Sequence, residues 1–189
     1  MFNLFKKQIH EPLSNQLSDL HIYPPEFAKM LANGLDCDSL PNASGAFGSL
    51  NNPIPVNGAI GEIKYLGKLR GRSGYALFFH RIGSVSSLKF KHSIDEYETV
   101  CMDGSQWANL HLDMYHPRRS NLVPDGYTLT PFDRQLNVDL PVAYGVNEFV
   151  SDFPYGLPDA ITRLYGAHHG ATFARHAEEF LNRYNFRKL

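Results

Sequence analysis

Leu110, Leu112 and Met114 alternate with Asn109, His111, Asp113 and Tyr115, and the run closes on His116, Pro117, Arg118 and Arg119. A period of two is that of a strand with one buried and one polar face. The stretch from Tyr97 to Met102 has the same period, and the Asp103-Gly104 dipeptide between the two runs signals a hairpin. A two-residue turn there sets Glu96 opposite His111, Tyr97 opposite Leu110, Glu98 opposite Asn109 and Val100 opposite Trp107. One face is then Tyr97, Thr99, Cys101, Ala108, Leu110, Leu112 and Met114. The other carries Glu96, Glu98, Asn109, His111 and Asp113, so two independent patterns agree on which side is polar.

Two further strands are expected before this hairpin, Ile60 to Leu69 and Tyr75 to Ile82. The second is apolar on both faces, which suits a central strand covered on both sides. Phe27, Met30 and Leu31 fall at helical spacing between the proline pair Pro24-Pro25 and Gly34, predicting a short helix over Tyr23 to Asn33. Residues 41–61 lack periodicity and are rich in Asn, Gly and Pro. They read as a long loop, anchored as packed cover by Phe47, Leu50, Ile54 and Val56. One or two short strands are expected in 121–158. A helix over Pro158 to Tyr165 and another over Ala171 to Asn185, with Phe173, Ala177, Phe180, Leu181 and Tyr184 on one stripe, close the chain. Helices at both ends without alternating βα units imply an α+β fold. The expectation is one domain over 1–189, with 1–20 as an N-terminal extension. Its mainly antiparallel sheet of four to six strands is covered by N- and C-terminal helices.

Composition adds bounds. A chain of 189 residues with 43% hydrophobic and 20% charged positions suits one ordinary folded domain. Cys37 and Cys101 form no paired or zinc-type spacing, which favours a reducing compartment. With no signal-peptide core and no apolar run of membrane-spanning length, a cytoplasmic location without membrane contact is expected. The net charge of −1 is unevenly spread. From Gly61 to Ser93 seven bases (Lys64, Lys68, Arg70, Arg72, Arg81, Lys89, Lys91) face one acid (Glu62), a balance of +6. From Asn121 to Ala160 six acids face Arg134 alone, a balance of −5. Such asymmetry marks either a polyanion surface and an acidic partner surface or mutual neutralisation within the fold or a dimer.

Three chemistries compete for these residues. His116, Arg118 and Arg119, stiffened by Pro117 and joined by Arg70 and Arg72 if the loops share an end of the sheet, suit a phosphate or carboxylate ligand or a protein partner. His111, Asp113 and Glu96, with His116 nearby, could converge on a divalent metal and activate water, or orient a histidine as general base. The basic segment 61–93, with its interleaved aromatics, is the element a nucleic-acid binder would use, although an isoelectric point near 6.7 opposes that. Cys101 belongs to the core face, and Asp36 and Asp38 disfavour a Cys37 thiolate. No complete catalytic arrangement is visible. The reading is therefore a cytoplasmic binding or interaction module for a small anion or a protein partner, with a homodimer expected and no cofactor required. A metal-dependent hydrolase and a nucleic-acid binder are the alternatives.

Overall fold

The computed structural model describes residues 16–17, 19–130, 161–163 and 166–184. After a 3₁₀ turn at Asp19–Ile22 come helix α1 (Pro25–Ala32), strand β1 (Ile54–Pro55), helix α2 (Gly58–Lys68), strands β2 (Leu69–Arg70), β3 (Leu77–Val85), β4 (Ile94–Cys101), β5 (Ala108–Asp113) and β6 (Thr128–Leu129), and helix α3 (Ala167–Tyr184). The main sheet has the order β1-β5-β4-β3, and β2 pairs with β6 in a second, two-stranded sheet. The fold is α+β, but the main sheet is mixed rather than purely antiparallel, because β1 runs parallel to β5.

The β4–β5 hairpin has the expected register: Glu96 opposes His111, Tyr97 opposes Leu110, Glu98 opposes Asn109 and Thr99 opposes Ala108. Its turn is not the expected two-residue one. Cys101 N–H donates to Ser105 O (2.9 Å) and Gly104 N–H to Cys101 O (2.7 Å), closing a three-residue loop with Gly104 at φ +84°. Gln106, at φ +54°, then adds a residue on the β5 side and restores the register.

Of Ile60 to Leu69, expected as a strand, all but Leu69 lies in the helix α2, Gly58–Lys68. Its buried positions, Gly58, Gly61, Glu62, Tyr65 and Leu66, follow the three-and-four spacing of a helix stripe. Three glycines within the segment lower its helix propensity, and packing overrides the local preference. The first free amides of α2 need partners, and the Tyr23 hydroxyl accepts from Ile60 N–H at 2.8 Å. The expected central strand is also displaced. Among the described residues β3 is the outer strand of its sheet, running to Val85 with a register shift between Arg81 and Gly83. The expected loop 41–61 contains β1 and the start of α2.

Core residues lie on both faces of the sheet. On one, Leu77, Phe79, Tyr97, Cys101, Leu110 and Leu112 pack with Tyr65, Leu66 and Leu69 of the α2 region. On the other, Phe78 and Val100 meet Ile161 and, from α3, Phe173 and Ala177. The cover on the first face therefore comes from the middle of the chain rather than from the N-terminal helix. Phe27 of α1 instead sits edge-on to Tyr115, ring centres 6.3 Å apart. Within the closing helix pair, residues 161–163 are helical and α3 begins at Ala167, four positions before the expected start. Residues 131–160 and 164–165 lie outside the described residues, so most of the expected strands of 121–158, and all of the expected Pro158 to Tyr165 helix except 161–163, are not covered.

Candidate functional site

The segment leaving β5 is a clasp for the N-terminal residues. Arg118 Nε donates to Asp36 Oδ1 (2.6 Å) and its NH1 to Asp38 Oδ1 (2.5 Å). Arg119, with its side chain 5% exposed, directs NH1 at Asp19 Oδ2 (3.3 Å) and Asn57 Oδ1 (3.1 Å). Its backbone N–H donates to Gln16 Oε1 (2.7 Å). Ser120 Oγ donates to Asp38 O (2.7 Å), and Asn121 N–H to Asp38 Oδ1 (2.9 Å). Both guanidinium groups thus bind carboxylates of the same chain. Asp19 also takes Lys64 Nζ at 2.7 Å.

His116 belongs to the same clasp. Its Nδ1 donates to Leu35 O (2.7 Å), and its Nε2 lies 3.3 Å from Asp113 Oδ2 without hydrogen-bond direction. Cys37 Sγ stands 4.0 Å from the same Nδ1. Thiol, imidazole and carboxylate are therefore ordered as in a thiol-dependent triad, but two features oppose activation. A carbonyl only accepts, so the proton that bonds Leu35 occupies Nδ1, the one nitrogen that faces the thiol. Burial pushes the Cys37 thiol up, and Asp113, Asp36 and Asp38 add to this against a partial offset from Arg118.

The expected anion surface is divided. Arg70 NH1 donates to the carbonyls of Gly67 (2.7 Å) and Leu69 (2.8 Å). Arg72, exposed, has its backbone N–H on Gln106 Oε1 (2.8 Å). Gln106 precedes β5 and His116 follows it, so a strand roughly 20 Å long separates Arg70 and Arg72 from His116, Arg118 and Arg119.

The expected metal set is divided as well. Glu96 and His111 oppose each other on the polar face, Oε1 to Nε2 3.8 Å, and Asn109 Nδ2 donates to Glu96 Oε1 (2.9 Å). His111 Nδ1 is 3.3 Å from Gly48 O. Asp113, buried, pairs with His116 instead. A second pair on the polar face, His80 Nε2 with Glu98 Oε2 at 3.4 Å, shares the same chemistry, and burial pushes the Glu98 carboxyl up while His80 pulls it down. Among the described residues no three His, Cys, Asp or Glu side chains converge as metal ligands.

Two groupings escaped sequence reasoning. Glu62 sits at 0% exposure beside Asp95, which binds Arg81 NH2 (2.8 Å) and Ser84 Oγ (2.6 Å). A lone acid within the apolar stripe of a helix was the available signal, hidden by the strand reading. The other is a cleft of about 170 Å³ lined by Tyr75, Met102, Asp103, His168, His169 and Thr172. It joins the loop after β2, the β4–β5 turn and the first turns of α3, three elements far apart in sequence. Tyr75 belongs to the basic loop, since Tyr75 O accepts from Gly71 N–H (3.0 Å). No protein-family profile, curated protein or solved structure matches the chain.

Proposed function

We propose that the protein is a small-ligand binding module, and that an anionic group of the ligand enters the cleft between the basic loop and α3. The observation that carries this reading is the cleft itself, with His168 and His169 at the start of an 18-residue helix whose positive dipole end favours negative charge. Its volume of about 170 Å³ is that of a compact organic molecule, since an engineered apolar cavity of about 150 Å³ takes benzene. Arg72, exposed in the loop that ends at Tyr75, adds positive potential. A cytoplasmic site of action belongs to the same reading, supported by two cysteines that are both free. The test is an NMR titration with 4-methylpentanoate, an apolar carboxylate. Shifts confined to Tyr75, Met102 and the start of α3, weakened about tenfold by the double change His168→Ala and His169→Ala, are expected for loss of charge-assisted hydrogen bonds. Shifts elsewhere, or none up to the solubility limit of the ligand, would remove the reading.

A protein partner or a second copy of the chain is a second reading, favoured by one observation. Leu88 is fully exposed at the β3–β4 tip, between Ser87 and the exposed Lys89, and Ile82 is 51% exposed on the adjoining outer strand. An apolar tip on a long outer strand suits strand addition. Sedimentation of the wild type and of Leu88→Asp tests the dimer, which requires a larger mass for the wild type alone. The metal-dependent and nucleic-acid readings have weaker support, because His111, Glu96, Asp113 and His116 pair off and Lys64 and Arg81 of the basic segment bind Asp19 and Asp95.

A further inference from the structure

We infer that the cleft takes a free α-amino acid with an apolar side chain, bound as its zwitterion. This rests on the reading of the cleft as the ligand site and goes beyond it by naming the ligand class. A carboxylate and two imidazoles meet in the lining. Asp103 brings a carboxylate, oriented by Ser105, whose backbone N–H (3.1 Å) and Oγ (2.6 Å) both donate to its Oδ1. His168 and His169, ring centres 5.7 Å apart, bring imidazole donors. A simple anion gains from the imidazoles and is repelled by Asp103, and a simple cation meets the reverse. A molecule with an ammonium and a carboxylate on neighbouring atoms satisfies both.

The rest of the lining suits the remainder of such a ligand. Met102 and the half-exposed ring of Tyr75 offer a thioether and an aromatic face to an aliphatic or aromatic side chain. A cleft of about 170 Å³ holds a molecule the size of leucine. The carboxylate and the imidazoles also stand on one rigid support. His176 Nδ1 donates to Asp103 O (2.5 Å), and Gly104, at φ +84°, lies against Phe173 so closely that a Cβ there would come 2.6 Å from Phe173 O. The turn that carries Asp103 is therefore pinned to the helix that carries both histidines. In the bound state the ligand ammonium donates to Asp103, and its carboxylate accepts from an imidazole N–H of His168 or His169.

The test compares L-leucine with N-acetyl-L-leucine, L-leucinamide and 4-methylpentanoate, by NMR shift titration on the intact protein. Leucine is expected to bind at least about tenfold more tightly than any of the three, each of which lacks one charge-assisted contact. Asp103→Asn is expected to bring leucine down to the level of N-acetyl-leucine, whose own affinity holds or rises as the repulsion by Asp103 is lost. If 4-methylpentanoate and N-acetyl-leucine bind as tightly as leucine, the zwitterion inference falls and the anion reading stands. If leucinamide matches leucine, or if none of the four moves the cleft resonances, both fall. The ligand series uses wild-type protein, so it decides the matter even if the Asp103 variant does not fold.

Discussion

The phenol of Tyr97 donates a hydrogen bond of 2.9 Å to the carboxyl of Glu62, and both groups are withdrawn from water. The other Glu62 oxygen, Oε1, has no hydrogen-bond donor to it among the described residues, while Asp95, an acceptor, lies within hydrogen-bonding reach of the group. A protonated Glu62 resolves both facts by donating to Asp95, so the two carboxyl groups share one proton.

Burial first, and the Asp95 charge second, push the Glu62 carboxyl up from 4.5 to about 9, with Tyr97 pulling the other way. The native state then holds a proton that the unfolded chain releases near 4.5, so stability is fullest below that pH and declines as pH rises toward about 9. Glu62→Gln keeps a donor for Asp95 and an acceptor for Tyr97 without the titration. Chemical denaturation at pH 5, 7 and 9 should show a decline of the order of a few kcal/mol in the wild type and a flatter profile in the variant. Parallel profiles would refute the shared proton.

Arg118 and Arg119 are neighbours in sequence with unequal structural weight. Removing Arg119 leaves the buried Asn57 short of a partner and Asp19, 18% exposed, held by Lys64 alone, so Arg119→Ala should cost about 2–3 kcal/mol. Arg118 binds the more exposed Asp36 and Asp38, and Arg118→Ala should cost about 1 kcal/mol. Urea unfolding midpoints measure both, and a reversed order would mean that the clasp is described wrongly.

Two glycines give a matched pair. Gly104 combines φ +84° with a Cβ position 2.6 Å from Phe173 O, whereas Gly83 has nothing within 4 Å of its Cβ position. Gly104→Ala should lower stability by at least about 2 kcal/mol and loosen α3, visible in the near-UV signal of Trp107. Gly83→Ala should stay within about 0.5 kcal/mol.

The two faces of β5 can be separated by truncation. Leu112, at 0% exposure, should cost about 2–5 kcal/mol as Leu112→Ala. His111, paired at 3.8 Å on the polar face, should cost under about 1 kcal/mol as His111→Ala. Equal losses in thermal unfolding would contradict the assignment of faces.

The hairpin was readable because its information is local. Alternation in 97–102 and 109–115 and the Asp103-Gly104 dipeptide sufficed for pairing, and the compensating Gln106 left the register where alternation had put it. The α2 segment was misread because Ile60, Ile63 and Leu69 suit a strand, and only contact with the sheet selects the stripe of Gly61, Glu62, Tyr65 and Leu66. Asp113 falls on the polar face by parity, yet it is buried, with His116, held by the Leu35 carbonyl, 3.3 Å from its carboxylate.

Short-range order along the chain thus settled the β4–β5 pairing, the leucine face, the inward Phe173 and Ala177 of the terminal helix and the α+β class, since periodicity and turn chemistry act between near neighbours. The destination of each charge was settled only by the folded arrangement. Arg118 finds Asp38, 80 positions earlier, and the cleft joins Tyr75, Asp103 and His168 from separate elements. The physical reason is that an ion pair or a cavity wall depends on distance through space, and chain spacing carries almost no information about distance once the intervening elements have packed.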